Sequence, residues 1–199
     1  MQSTDSKAQV FRNRIREAAA TLFQEKGYKA TSMRELAQAV GLEASSLYNY
    51  IRSKDELLSE ICMESSRHFM EGMEHLLHHE PDCLGKLKAI IRLHIDIAST
   101  DPASVTVFND EWKHLNEADK QEFLRRRKKY ENQVLQILQS GMQLGEIRHM
   151  DPKIALYSFL TSLKWIHHWF KPGKINPDIL AGQMEIMLLQ GMARETTKG

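Results

Sequence analysis

The sequence is poor in most of the features that mark secreted, membrane or catalytic proteins. It holds two cysteines, Cys62 and Cys83, in 199 residues, too few for a disulfide framework or a thiolate zinc site. No apolar run approaches the roughly 20 residues that span a bilayer. Its opening, MQSTDSKAQ, is polar and has no apolar signal-peptide core, so a cytoplasmic protein with no membrane partner is expected. No stretch alternates valine or isoleucine with polar residues as a strand would, and there is no internal repeat or low-complexity linker. The chain also lacks a phosphate-binding glycine loop, a dinucleotide fingerprint, a nucleophile elbow and a His-Glu-x-x-His pair. Neither catalysis nor a cofactor is expected, and the fold class is all-α.

What remains is a helical chain with a charge asymmetry. A hydrophobic content of 42% supports a true core. The formal net charge is only +1, yet residues 1–54 hold nine basic and five acidic side chains, and the rest holds 18 and 21. A basic head on a mildly acidic body suits binding to DNA through one end.

The stretch TSMRELAQAVGLEASSLYNYIRSK, residues 31–54, is where the head acquires its purpose. Ser32 to Glu35 fits a capping box, with the hydroxyl at the N-cap and a carboxylate three residues on. Leu36, Ala37 and Val40 follow at helical spacing, and Gly41 ends the helix. Leu42 and Leu47 tuck a second helix against the first, which leaves Ser45, Ser46, Tyr48, Asn49 and Tyr50 pointing away from the core. This is the pattern of a helix-turn-helix, whose second helix enters the major groove. Ser45, Ser46 and Asn49 are candidates for base edges, Asn49 for adenine. Tyr48 and Tyr50 are candidates for phosphates or thymine methyls. Thr31, Ser32 and Arg34 at the start of the first helix, and Lys54 at the start of the next, are candidates for phosphate contact.

The body reads as a series of helices. The spacing predicts one helix from Ser53, itself in a second capping box with Glu56, to about His79. Others cover 84–99, the segment from Pro102 through Trp112, and residues from Asn116 to about Leu144, closed by Gly141 and Gly145. A single helix is expected over 153–170 after Asp151-Pro152, and a last one after Asn176-Pro177 that reaches Gly191. The tail from Thr196 to Gly199 is expected to fray. The run Arg125 to Lys129 winds around its helix and reads as a solvated surface, or as a contact for an anionic ligand or the DNA backbone.

Residues 10–62 resemble the DNA-binding domain of the tetracycline-repressor (TetR) family. The resemblance rests on an alanine-rich first helix ending in Phe-x-x-x-Gly-Tyr, then Thr-Ser, Ala-x-x-x-Gly, Leu-Tyr-x-Tyr and Ser-Lys-x-x-Leu, all in order. Ile51 stands where the family usually has Phe, and Glu43 where it often has Ser or Thr, a poorer N-cap. The segment WIHHWFKPGKINPDILAGQMEIMLLQGM and the residues from Phe108 to Trp112 resemble acyl-CoA-responsive members of the family. The resemblance implies a domain at 1–53 that binds a palindromic operator and a domain at 54–199 that binds an effector and dimerises. It further implies a ligand-responsive regulator, a repressor by the family's habit, released by a small hydrophobic effector such as an acyl-CoA.

Helix-turn-helix proteins generally bind as two-fold dimers, with recognition helices one DNA turn apart, about 34 Å. The apolar residues Leu156, Leu160, Leu163, Met184, Met187 and Leu188 crowd the last two helices and are the candidate interface. By the resemblance, these helices form a four-helix bundle with a second subunit. Met70, Met73, His94, Phe108, Trp112, Phe159, Trp165 and Trp169 are the candidate effector lining. Two alternatives compete. A metal- or redox-sensing regulator of the same fold would use His75, His78 and His79 or the cysteines. A helical adaptor that does not bind DNA would leave the basic head without a role.

Overall fold

A computed structural model describes residues 2–190 and 192, with side chains from residue 9 onward. Gly191 and the tail 196–199 lie outside the described residues. Among the described residues there are ten α-helices and one 3₁₀ turn, and no strand. They are α1 (Gln2–Lys26), α2 (Met33–Ala39), α3 (Ala44–Leu47), α4 (Lys54–His79), α5 (Cys83–Thr100), α6 (Pro102–Asp110), the 3₁₀ turn Trp112–His114, α7 (Glu117–Leu144), α8 (Pro152–Lys164), α9 (Ile166–Trp169) and α10 (Pro177–Leu189). None is long and apolar enough to cross a membrane among the described residues.

The chain divides into two compact units, and the division does not follow sequence order. The first contains residues 1–66 and 103–124; the second contains 67–102 and 125–199. Both α4 and α7 begin in the first unit and end in the second.

In the first unit Ile15, Ala19 and Phe23 of α1 close on Leu36 and Ala37 of α2, Leu47 of α3 and Leu57, Leu58 and Ile61 of α4. Val107, Leu115 and Phe123 complete this cluster from the second segment. Ile51 is buried here as well, so the change from Phe keeps a core residue. Phe108 and Trp112 pack against the same cluster, their rings 5.1 and 5.5 Å from Phe123, the Trp112 pair stacked. The side chains expected to line an effector cavity in the body thus finish the core of the DNA-binding head. Local spacing shows that they are apolar but not which core they join.

In the second unit α5 packs against α8, α9 and α10, and Arg92 ties α5 to α10 through Asp178 at 3.5 Å and Glu185 at 3.3 Å. Gly145, not Gly141, ends α7. Its φ is +75°, and the Glu146 amide reaches back to the Gly141 carbonyl at 2.9 Å in a Schellman closure. Gly141 is a helix-interior residue kept small by packing: a Cβ there would stand 2.5 Å from Ile147 Cδ1 and 3.1 Å from Cys83 Cβ. Past the corner, Glu146 accepts from the Cys83 amide at 2.8 Å, and Asp82 accepts from Gly85 at 2.6 Å. Two carboxylates therefore cap the start of α5. The helix expected over 153–170 breaks at Trp165 into α8 and α9.

Candidate functional site

The corner between α2 and α3 is built from hydrogen bonds that the sequence foretells. Ser32 Oγ accepts from the Glu35 amide at 3.2 Å, and the Glu35 carboxylate accepts from the Ser32 amide at 2.8 Å. Lys26 joins at 2.7 Å. The Lys26 ammonium, then the Ser32 amide, hold the Glu35 carboxyl down at about 2. Gly41 takes φ +75°, and the Leu42 amide bonds the Ala37 carbonyl at 2.9 Å. Helix α3 is only four residues long. Glu43, its N-cap, makes no side-chain cap bond, and Tyr48, Asn49 and Tyr50 continue as hydrogen-bonded turns.

From this scaffold Arg34, Ser45, Tyr48 and Asn49 are exposed, with Ser46 half-buried. Four other candidates are placed differently from expectation. Thr31 is buried, and its hydroxyl donates to the Gly27 carbonyl at 3.0 Å, so it finishes the end of α1 and does not face a phosphate. The Ser32 hydroxyl is exposed but engaged with Glu35 at 2.9 Å. Tyr50 is half-buried, its ring 4.8 Å from Phe11. Lys54 spends its three N–H donors on the carbonyls of Tyr28 (2.9 Å), Thr31 (2.8 Å) and Lys29 (3.5 Å), with Nζ 4.5 Å from the Tyr28 ring centroid. It clamps the loop ahead of α2.

The sequence reading missed the partner of that clamp. Arg12 of α1 donates to the Tyr50 carbonyl at 2.6 Å, to Glu56 at 2.7 Å and to Glu60. The Glu60 and Glu56 carboxylates raise its pKa further. Glu56 Oε2 accepts from the Arg52 amide at 2.6 Å, while Ser53 Oγ accepts from the Glu56 amide at 3.2 Å. The expected second capping box therefore closes one residue early. A charged arginine on α1, three residues before the buried Ile15, was the available signal.

In the second unit the candidate effector residues separate into core and surface. Met73 and Phe159 are buried, and Met70 is half-buried. His94 is buried, with Nε2 3.1 Å from the Tyr130 hydroxyl and its ring 4.8 Å from Phe69. Burial, then the Lys164 charge, press the His94 pKa down to about 3. Trp165 and Trp169 are 60% and 43% exposed and line no interior. The interface candidates are corrected in the same way. Leu156, Leu160, Leu163 and Met184 are buried in their own chain, Leu188 is half-buried and only Met187 stands out, at 76% exposure. The apolar residues that α8 and α10 turn outward are Ile154, Tyr157, Ile179, Ile186 and Met187. Apolar spacing alone does not say which stripe of a two-sided helix meets its own core.

Features tied to the competing readings are also visible. His75 and His79 stack with ring centroids 4.0 Å apart and 15° between planes, so their in-plane lone pairs do not converge on one ion. The Nδ1 atoms of His78 and His79 sit 2.7 Å from carbonyls one turn back. The rings of His167 and His168 lie with centroids 4.0 Å apart. Both cysteines are buried and outside any disulfide, and burial, then the Glu111 charge, push the Cys62 thiol up to about 12. This disfavours the thiolate that redox sensing needs.

Residues 15–61 match the family of bacterial regulatory proteins called tetR, and residues 81–192 match the tetracyclin repressor-like C-terminal domain. The chain is 26% identical over 182 residues to the HTH-type transcriptional repressor KstR2 of Mycolicibacterium smegmatis, covering 90% of this chain and 89% of that one. Among solved structures it is similar to the TetR family transcriptional regulator PfmR from Thermus thermophilus, with TM-score 0.81, 30% identity and coverage of 91% and 100%. It is also similar to AibR in complex with isovaleryl coenzyme A and operator DNA, with TM-score 0.78, 29% identity and coverage of 89% and 97%.

Proposed function

We propose, for a chain that belongs to the TetR family of bacterial transcriptional regulators, that it is a repressor whose dimer leaves its operator when an acyl-CoA thioester binds. As a family member it is a helix-turn-helix regulator that binds operator DNA, responds to a ligand and acts as a dimer. Such a protein works in the cytoplasm, where its operator lies. The observation that carries the DNA contact is the α2–α3 corner, which fixes the backbone and leaves Arg34, Ser45, Tyr48 and Asn49 outward. Arg34 is assigned to phosphate, and Ser45 and Asn49 to base edges. Tyr48 supplies an aromatic face and a hydroxyl at the groove wall. Thr31, Ser32, Tyr50 and Lys54 hold the shape of that surface. The functional boundary near residue 53 belongs to the same reading.

The thioester effector is supported by the likeness to AibR, which was solved with isovaleryl coenzyme A and operator DNA, and by the Trp-Phe-x-Pro-Gly segment and final helix. The dimer is assigned to the outward stripe of Ile154, Tyr157, Ile179, Ile186 and Met187. Helices α4 and α7 are each continuous from one unit into the other, and they carry the signal. Coupling of about 1–3 kcal/mol between effector and operator is the usual size of such an effect. Fluorescence anisotropy with the gene's own upstream DNA, titrated with isovaleryl and longer acyl-CoA thioesters, tests the reading. Release of bound DNA by a thioester is expected. DNA binding that no thioester changes would remove this effector class, and no binding at low salt would remove the regulator reading.

A further inference from the structure

The segment 103–124 belongs to the first unit, although the chain on either side of it belongs to the second. Besides sending Val107, Leu115 and Phe123 into the core, it follows the corner between α1 and α2. Thr106 accepts from Gln24 at 3.0 Å. Glu111 lies beside Gly27, where a Cβ would stand 3.6 Å from its Oε1. The His114 ring then stacks on Tyr28, with centroids 5.6 Å apart and 21° between planes, within the offset geometry that aromatic pairs prefer. Tyr28 is in turn the residue that carries the approach to α2. Its carbonyl accepts from Lys54 at 2.9 Å, and its ring centroid lies 4.5 Å from the same ammonium. Phe23 meets the ring in a T-shaped pair at 5.3 Å, and the Tyr28 hydroxyl donates to Asp55. Further along the loop the Thr31 carbonyl accepts from Lys54 at 2.8 Å, and Ser32 caps α2.

We infer that His114, far outside the helix-turn-helix in sequence, is a positioning residue for operator binding. It acts on Tyr28, and through Tyr28 on the loop that sets α2 and its outward Arg34. The inference rests on the DNA-reading corner and not on the nature of the effector. The ring suits this task because it is neutral at pH 7. Burial, then the Lys29 charge, hold its pKa below the ordinary 6.5, against the pull of Glu111, whose Oε2 stands 3.5 Å from His114 Nε2. A charged ring here would meet the repulsion of Lys29, Lys113 and Lys54. A neutral ring shares Tyr28 with the Lys54 ammonium at no such cost. What the loop needs from position 114 is therefore a flat aromatic face, which phenylalanine keeps and alanine loses. Val107 differs in kind. It is fully buried in the common core and stabilises the unit as a whole, whereas His114 bears on one side chain of one loop.

Fluorescence anisotropy of the full chain with the gene's own upstream DNA tests this. His114→Ala removes the ring, and His114→Phe keeps one. Val107→Ala trims the same core from the same segment and leaves the stack in place. Urea denaturation measures the stability of each variant, and anisotropy is run where all are folded. His114→Ala should bind the operator about two- to tenfold more weakly, the fold-change that matches one aromatic pair. His114→Phe should recover most of that loss. Val107→Ala should lose stability and keep the wild-type affinity. Hydrogen exchange of the free proteins gives a second reading that needs no DNA: the amides of residues 29–32 should exchange faster in His114→Ala, with those of α7 unchanged. Wild-type affinity in His114→Ala, or an equal loss in Val107→Ala, would overturn the proposal. So would a phenylalanine that recovers nothing, or loop exchange that does not change. A wild type that binds no DNA at low salt would remove the regulator reading, and the exchange measurement would still decide whether His114 holds the loop.

Discussion

The Lys54 ammonium of α4 donates to the Thr31 carbonyl at 2.8 Å, while Thr31's own hydroxyl turns inward to Gly27 at 3.0 Å. The loop that positions α2 is therefore held from both sides, and the proposed role of Lys54 in DNA binding is an indirect one, through that loop. Changing Lys54 to Met should cost about 1.5–3 kcal/mol of stability, the size of a hydrogen bond to a charged group, read by urea denaturation. The salt dependence of operator binding should keep its slope. Arg34→Ala, at an exposed position, should leave stability nearly unchanged and reduce that slope by about one. Anisotropy titrations over a salt series separate the two. A slope that falls for Lys54→Met would restore Lys54 as a phosphate ligand.

Asn49 and Tyr48 lie beyond the last residue of α3 and are exposed. If they read the groove, Asn49→Ala should lose about 1–3 kcal/mol of discrimination at one base position. Discrimination elsewhere should be unaffected. Competition with operator variants, one base pair at a time, measures this. A uniform loss across all positions would mean that Asn49 contacts the backbone.

Gly141 gives a packing prediction free of any ligand. A Cβ at this position meets Ile147 Cδ1 at 2.5 Å and Ile147 Cγ1 at 2.9 Å. Gly141→Ala should destabilise by about 1–3 kcal/mol through overpacking, despite the better helix propensity of alanine. The double change Gly141→Ala with Ile147→Val should recover part of the loss in a denaturation series. No recovery would point away from Ile147 as the obstacle.

The all-α fold and the helix-turn-helix could be read from the sequence because their signals are local. The Ser32–Glu35 box, Gly41 and the Asp151-Pro152 and Asn176-Pro177 starts each act within a few residues. Asp151 and Asn176 do accept from the amides two and three residues on. What was hidden depends on partners far along the chain. Arg12 looks like one more surface cation until Glu56 and Glu60 are placed beside it. Phe108 and Trp112 look like body residues until Phe123 brings them into the first core. The apolar residues of α8 and α10 cover two faces, and only the packed chain shows that Leu160 is consumed while Met187 is not.

That last difference gives a dimerisation prediction. A second copy should rest on the outward stripe, so Met187→Glu combined with Ile154→Glu should convert the dimer to monomer while each chain stays folded. Leu160→Ala should do the opposite: a loss of about 2–5 kcal/mol in stability with the dimer retained. Sedimentation velocity with circular dichroism distinguishes the outcomes. A dimer that survives both glutamates would place the interface elsewhere.

The buried pair of His94 and Tyr130 makes stability depend on pH in a definite direction. The His94 pKa falls from 6.5 to about 3 because the charged ring would be buried, next to the Lys164 charge. Well above 6.5 neither the folded nor the unfolded chain protonates this ring, so it contributes no pH dependence there. As pH falls below 6.5 the unfolded chain takes a proton that the folded chain refuses, and folding is penalised. The penalty grows by about 1.4 kcal/mol per unit until pH approaches 3, where the folded ring titrates as well. Between pH 7 and pH 5 this single group should remove about 2 kcal/mol. His94→Leu should be less stable than the wild type at pH 7, since the Tyr130 hydroxyl loses its partner, yet should lose less stability on acidification. Subtracting the two urea-denaturation curves at each pH isolates the histidine from the carboxylates common to both. Parallel curves between pH 7 and pH 5 would show that the ring is protonated inside the fold, with its charge reaching solvent or an acidic partner.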